Sequence, residues 1–110
     1  VGTTTTQTGT SLNMISLYCD DGASEDTINI TMQNTGTSTI ETGTVAVTIT
    51  DEQDRVKRVA TTELTSNFDQ NQITTLEISI IDGSLTENET YGVKITLPGG
   101  IEGTSDCIAQ

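Results

Sequence analysis

Along most of the chain, apolar and polar residues alternate with a period of two. Ile28, Ile30 and Met32 alternate with Asn29, Thr31 and Gln33, the pattern of a strand with one buried and one wet face. Asn34-Thr35-Gly36 stops that run, since Asn and Gly both tolerate positive φ. Val45, Val47 and Ile49 repeat the alternation over residues 44–50. Upstream, residues 12–19 place Ile15, Leu17 and Cys19 on one face and Met14, Ser16 and Tyr18 on the other. Downstream, 56–64 is a less regular strand, and 73–81 sets Leu76, Ile78 and Ile80 against Thr75, Glu77 and Ser79. Residues 90–97 carry Tyr91, Val93, Ile95 and Leu97 on one face, and a last strand carries Cys107 and Ile108.

Polar and Gly-rich segments punctuate these runs. Asp51-Glu52-Gln53-Asp54 and Pro98-Gly99-Gly100 read as turns, Gly43 as a bend, and Thr39-Ile40-Glu41 as a short strand. Phe68 is the one anchor in a polar stretch over 66–72, and Leu85 is expected to tuck inward between Asp82-Gly83 and Glu87-Asn88-Glu89. About seven strands at this spacing predict an all-β, immunoglobulin-like antiparallel β-sandwich over residues 12–110. The internal Cys and Trp spacing of antibody domains is missing, so the likeness is one of architecture. Residues 1–11, with Thr3 to Thr6 consecutive and Gly2 and Gly9 interspersed, read as a flexible Thr-rich linker. The competing reading is an arm that adds a strand to another subunit. A donor strand carries a row of large apolar residues, whereas this segment has only Val1.

Composition narrows the picture. With Tyr18, Phe68 and Tyr91 as the aromatics and no Trp, the core must be aliphatic. The formal net charge of -12 repels nucleic acid and anionic lipid, because no basic patch neutralises phosphate. Solubility is the expected reading of that charge, and a salt-rich habitat the sharper one. Cys19 and Cys107 lie near the two ends of the domain. On the first and last strands they are placed to pair, which implies an oxidising compartment; two separate buried thiols are the other reading. The sequence opens at Val1 without an initiator Met, an apolar leader or a transmembrane run, so an upstream segment is expected to have been removed.

Chemistry is sparse. Without His the usual general base and commonest metal ligand are absent. No Ser and Lys are spaced to suggest an activated nucleophile, and paired carboxylates would need a cleft lined by aromatic or polar groups to cut glycosidic bonds. The expectation is no catalytic residue, no enzyme activity and no cofactor. Calcium is the one metal worth naming, through Asp20, Asp21, Glu25 and Asp26 in one segment and Asp51, Glu52 and Asp54 in another. Neither segment has EF-hand spacing, and solvated acidic loops are the expected reading. Asn29-Ile30-Thr31 and Asn88-Glu89-Thr90 are N-glycosylation sequons.

Ile28-x-Ile30-x-Met32-x-Asn34-Thr35-Gly36, the Val45/Val47/Ile49 strand and the run from Ile80 through Tyr91-Gly92-Val93-Lys94-Ile95 to Gly100 resemble the globular half of archaeal type IV pilin-like proteins. Surface pilins, archaellins and archaellum-associated stator proteins belong to that group. The resemblance covers residues 12–107. It implies a noncatalytic, extracellular cell-surface module, the exposed domain of a filament subunit. The alternatives are a stator-like domain gripping surface-layer protein, or a secreted subunit assembling by donor-strand exchange. Filament neighbours or surface-layer protein are the implied partners, with a homo-oligomer possible. Membrane attachment would come only through an N-terminal helix that this sequence lacks.

Overall fold

The computed structural model describes residues 12–22, 25–80, 83 and 85–110. In chain order its strands are β1 (Leu12–Asp21), β2 (Asp26–Asn34), β3 (Gly43–Thr50), β4 (Val56–Leu64), β5 (Ile73–Ile80), β6 (Thr90–Leu97) and β7 (Ile101–Ile108). Two sheets form, β1-β2-β5 and β4-β3-β6-β7, and every pairing is antiparallel. The fold is the all-β, immunoglobulin-like sandwich that the alternation predicts. The linker expected over residues 1–11 lies outside the described residues.

β2 is the central strand of the smaller sheet. Its inward row runs Asp26, Ile28, Ile30, Met32 and Asn34, all buried. With Val45, Val47 and Ile49 of β3 and Tyr91, Val93, Ile95 and Leu97 of β6, its three apolar members build one core cluster. Fully burying an aliphatic side chain contributes about 1.5–3 kcal/mol, so these rows dominate stability. Phe68 and Leu85 are buried too, at 0% and 2% exposure, as their place between polar segments predicts.

The two ends of the β2 row are polar, and each holds a connection between the sheets. Asn34 donates from Nδ2 to the carbonyls of Ser38 and Phe68, 2.9 Å each, and accepts at Oδ1 from Gly36 N–H at 3.0 Å. It thereby ties the β2–β3 connection to the β4–β5 connection, which also meet in the single Ile40–Phe68 bridge. That bridge is all that the short strand expected at Thr39-Ile40-Glu41 amounts to. At the other end Asp26 Oδ2 accepts from Leu85 N–H at 2.7 Å, fixing the β5–β6 connection. Tyr91 seconds it, its hydroxyl accepting from Thr86 N–H at 2.8 Å, the arrangement known in sandwiches as a tyrosine corner.

Cys19 of β1 and Cys107 of β7 are joined by a disulfide, with Cα atoms 6.1 Å apart at a sequence separation of 88. The bond links edge strands of opposite sheets and closes one side of the sandwich. Beyond it, Gln110 N–H donates to Cys19 O at 2.9 Å and Asp21 N–H to Gln110 O at 3.0 Å, so the chain end is laid along β1. At the β6–β7 hairpin, Gly100 N–H bonds to Leu97 O at 3.0 Å. Pro98 and Gly99 (φ 91°) occupy the central positions, the residue order of a type II turn.

Two expectations need correction. Ile15 does not share a face with Leu17 and Cys19: it is 46% exposed, because a bulge between Met14 and Ser16 gives β1 one extra residue opposite β2. The bulge switches the alternation, so Leu12 and Met14 turn inward instead. Their side chains lie over Gly103 of β7, where an added Cβ would come within 2.9 Å of Met14 Sδ. Three acidic residues of the segment 20–26, read as a loop, belong to the ladder. Asp20 pairs with Thr27 and Asp21 with Asp26, because acidic side chains do not stop backbone pairing.

Replacing Asn34 by Ala should cost about 1–3 kcal/mol in urea denaturation, because the Gly36 N–H loses its acceptor, the Ser38 carbonyl its side-chain donor and the Phe68 carbonyl one of its two donors. Asn34→Asp should be no better, since it removes both donors. Replacing Cys19 and Cys107 together by Ala should lower stability by about 4–5 kcal/mol in the chain-entropy picture. A far-ultraviolet circular dichroism spectrum unchanged in the cold would show that the strands themselves persist.

Candidate functional site

The structure spreads the sequence-predicted acidic residues over different environments. In the first segment, Asp20 and Asp21 are half-buried ladder residues at the end of β1, Glu25 is exposed, and Asp26 is fully buried. Glu25 accepts from Ser79 Oγ at 3.2 Å. Asp26, read as a loop residue, is the first inward position of β2, and its Oδ1 has no hydrogen-bond partner among the described residues. Among those residues no group of three His, Cys, Asp or Glu side chains is placed to hold a metal ion.

In the second segment the carboxylates build a turn. Asp51 Oδ1 accepts from Gln53 N–H at 2.9 Å and Arg55 N–H at 3.0 Å, while Oδ2 meets Arg55 Nε at 3.2 Å. This is the local side-chain-to-backbone bonding for which Asp is favoured in turns. Asp54 takes φ 62°, a left-handed conformation that Asp tolerates. Glu52 reaches across to Thr90 N–H at 3.4 Å. The Arg55 backbone N–H is the largest influence holding the Asp51 carboxyl below its ordinary value of 3.8. The Gln53 N–H and the Arg55 guanidinium act in the same direction, and desolvation opposes them.

Two shallow depressions adjoin this end of the molecule. One, of about 420 Å³, is lined by Thr50, Asp51, Glu52, Asp54, Thr90 and Asp106. It is floored by Gly92, where a Cβ would crowd Thr50 Oγ1 at 2.7 Å. The other, of about 430 Å³, runs along the disulfide side between Tyr18 and Ile108. Both are open and lined by carboxylates, hydroxyls or aliphatic groups, without a base set beside a nucleophile.

The broad surfaces are the two outer sheet faces and the edges. The outer face of the larger sheet carries Thr48, Lys94 and Thr104 in one row and Thr61, Ala46, Thr96 and Glu102 in the next. A Lys94–Glu102 ion pair at 3.3 Å crosses it, exposed and worth about 0–1 kcal/mol. The other sheet's outer face sets Tyr18, Asn29 and Glu77 in one row and Ser16, Thr31 and Thr75 in the next. Three of the four cations, Arg55, Lys57 and Arg58, gather at the start of edge strand β4, beside exposed Val56 and Val59. There β4 is bulged, Ile49 pairing with Arg58 and Thr50 with Val56. Bulges and Lys on an edge discourage indiscriminate pairing.

Of the sequon residues, Asn29 lies on the wet face of β2, half-buried, and Asn88 is exposed in the turn before β6 with φ 72°. The features that sequence reasoning passed over are the buried Asn34, Asp26 and the Tyr91 hydroxyl. Extending the β2 alternation by one step at each end would have found the first two, since both keep the parity of Ile28 and Met32.

No protein-family model matches the chain, and no curated protein matches it in sequence. Solved structures do. The archaellum periplasmic stator protein complex FlaF and FlaG from Sulfolobus acidocaldarius is similar at a TM-score of 0.64 and 14% identity, over 88% of this chain and 88% of the matched one. The archaellum periplasmic stator protein FlaG from the same organism matches at 0.61 and 17%, over 89% of this chain and 99% of that one. A cycloisomaltooligosaccharide glucanotransferase from a Paenibacillus species matches at 0.61 and 17%, over 92% of this chain. The chain spans 14% of that enzyme's length. At these identities the likeness is one of fold.

Because its folded-state value is depressed, the Asp51 carboxylate supports the 51–55 turn above pH 3.8 and loses that support as acid protonates it. Backbone amide shifts of Gln53 and Arg55 should titrate together with a midpoint below 3.8. Asp51→Asn should abolish the titration while keeping the turn, because its Oδ1 still accepts both N–H groups.

Proposed function

We propose that this chain is a noncatalytic structural module that works outside the membrane by gripping another protein, in the manner of an archaellum stator domain. The observation that carries the reading is the correspondence with FlaG over 89% of this chain and 99% of that one. Chemistry points the same way. The carboxylates of the 51–54 segment build or border a turn, Asp26 holds the β5–β6 connection, and the core is largely aliphatic around Phe68 and Tyr91. A disulfide across the sandwich suits an oxidising, extracytoplasmic setting. The FlaF and FlaG structure is a complex, which supports a protein as the partner here. Surface-layer protein is the partner we favour. The exposed domain of a pilin-like filament subunit uses the same sandwich and stands second.

A reading from a different class rests on the glucanotransferase match: an accessory sandwich of a carbohydrate-processing enzyme. Such a domain grips sugar through exposed aromatic rings and convergent polar groups. This chain exposes one aromatic, Tyr18, among its described residues, so the protein-binding reading is the stronger.

Immobilised domain should bind surface-layer protein isolated from its source cell, at the salt and pH of that cell, with a dissociation constant in the micromolar range or tighter, about -8 kcal/mol. Retention on an isomaltooligosaccharide resin without binding to surface-layer protein would favour the carbohydrate reading. Incorporation into filaments would favour the subunit reading.

A further inference from the structure

We propose that Asn29 is an N-glycan attachment site whose first sugar rests on the ring of Tyr18. Asn29 begins the triplet Asn29-Ile30-Thr31, the acceptor sequence for this modification. It sits at the middle of the central strand, with its neighbours Ile28 and Ile30 at 0% exposure and its own side chain on the solvent side. In the ladder Asn29 faces Tyr18 on one side and Glu77 on the other. Residues directly opposite in an antiparallel pair have Cβ atoms about 5 Å apart on the same face, the reach of a sugar ring linked to the Asn amide.

Tyr18 is 48% exposed on a face whose other members include Ser16, Thr27, Asn29, Thr31, Thr75 and Ser79. Glu77 shares its row and the ring also borders the open depression beside Ile108, but Tyr18 is not part of the buried core. A pyranose ring presents C–H groups on one side and hydroxyls on the other, and an amphipathic ring such as that of Tyr matches the first. Thr31, the hydroxyl member of the triplet, lies on the same face and pairs with Thr75 Oγ at 2.9 Å. The second triplet differs. Asn88 has its N–H bonded to Ala109 O at 2.8 Å and takes φ 72°, and no described aromatic side chain pairs across from it.

The donor class is a polyprenyl-diphosphate-linked oligosaccharide. Asn29 Nδ2 forms a bond to the sugar anomeric carbon, the bond from that carbon to phosphate oxygen breaks, and Nδ2 loses one proton. The polyprenyl diphosphate leaves with the bonding pair. Because Asn29 lies inside a three-strand ladder, transfer precedes folding, and the finished sheet then presents the sugar to solvent. A glycan on this face leaves the Thr-rich face of β4-β3-β6-β7 as the one open to a protein partner.

The test is secretion of the chain from yeast, which supplies an extracytoplasmic setting and a high-mannose donor whatever the chain's own address. A missing glycan then counts against Asn29 and not against the proposed function. Glycopeptide mapping should show the glycan at Asn29 in the parent chain and in Asn88→Gln, and its loss in Asn29→Gln. Tetranitromethane should then nitrate Tyr18 about threefold or more slowly in the glycosylated protein than in Asn29→Gln, as expected for a covered ring. Tyr91, at 2% exposure, does not contribute. If Asn29→Gln fails to fold, folded protein stripped by peptide N-glycosidase serves as the bare reference. An unmodified Asn29 peptide overturns the site, and equal nitration rates overturn the contact with Tyr18.

Discussion

The buried row of β2 is the constraint on which the rest of the sandwich depends. Three apolar side chains, Ile28, Ile30 and Met32, fill the centre between the sheets, and two polar ones, Asn34 and Asp26, close its ends. An apolar row alone would hold the layers together but leave the connections free to slide. A buried amide or carboxylate is costly to leave without hydrogen bonds, so the bonds that Asn34 makes and the one that Asp26 Oδ2 makes each favour a restricted set of loop conformations. Asn34 selects one for the β2–β3 and β4–β5 connections at its end. Asp26 selects one for β5–β6 at the other.

Closure of the sandwich sides follows different rules. On one side the Cys19–Cys107 bond joins β1 to β7, and a bulge at Ile15 turns Leu12 and Met14 onto Gly103. On the other side β4 and β5 approach without a covalent link. There β4 carries its bulge and two of the protein's four cations, with Arg55 just before it. A chain of formal charge -12 that gathers Arg55, Lys57 and Arg58 at one edge has an uneven field. That field would steer an acidic partner towards the β4 edge more than it would alter the fold.

The surfaces described are broad and shallow, without a deep cleft. The two depressions beside the 51–55 turn and the disulfide are open, and Asp51 is spent on its turn. The likeness to FlaF and FlaG and the likeness to a segment of a glucanotransferase share one cause. An aliphatic sandwich of this size is a stable scaffold on which different surfaces can be mounted, so the fold constrains function less than the faces do.

Much of the architecture was legible from residue order. Period-two alternation specifies which side chains face inward, and Pro98-Gly99-Gly100 and Asn34-Thr35-Gly36 carry their own turn chemistry. The strands, the aliphatic core and the buried Phe68 and Leu85 follow from those rules, because burial of alternate positions is a local property of an extended chain. What the sequence could not carry is whatever depends on two distant segments meeting. The bulge that exposes Ile15 is set by register against β2. The hydrogen bonds that Asp26 and Asn34 make once inside depend on loops 59 and 34 residues away, and the pairing of Tyr18 with Asn29 exists only across the ladder. Asp20, Asp21 and Asp26 looked like loop residues because side-chain polarity is written in the sequence, whereas backbone pairing is decided by the partner strand.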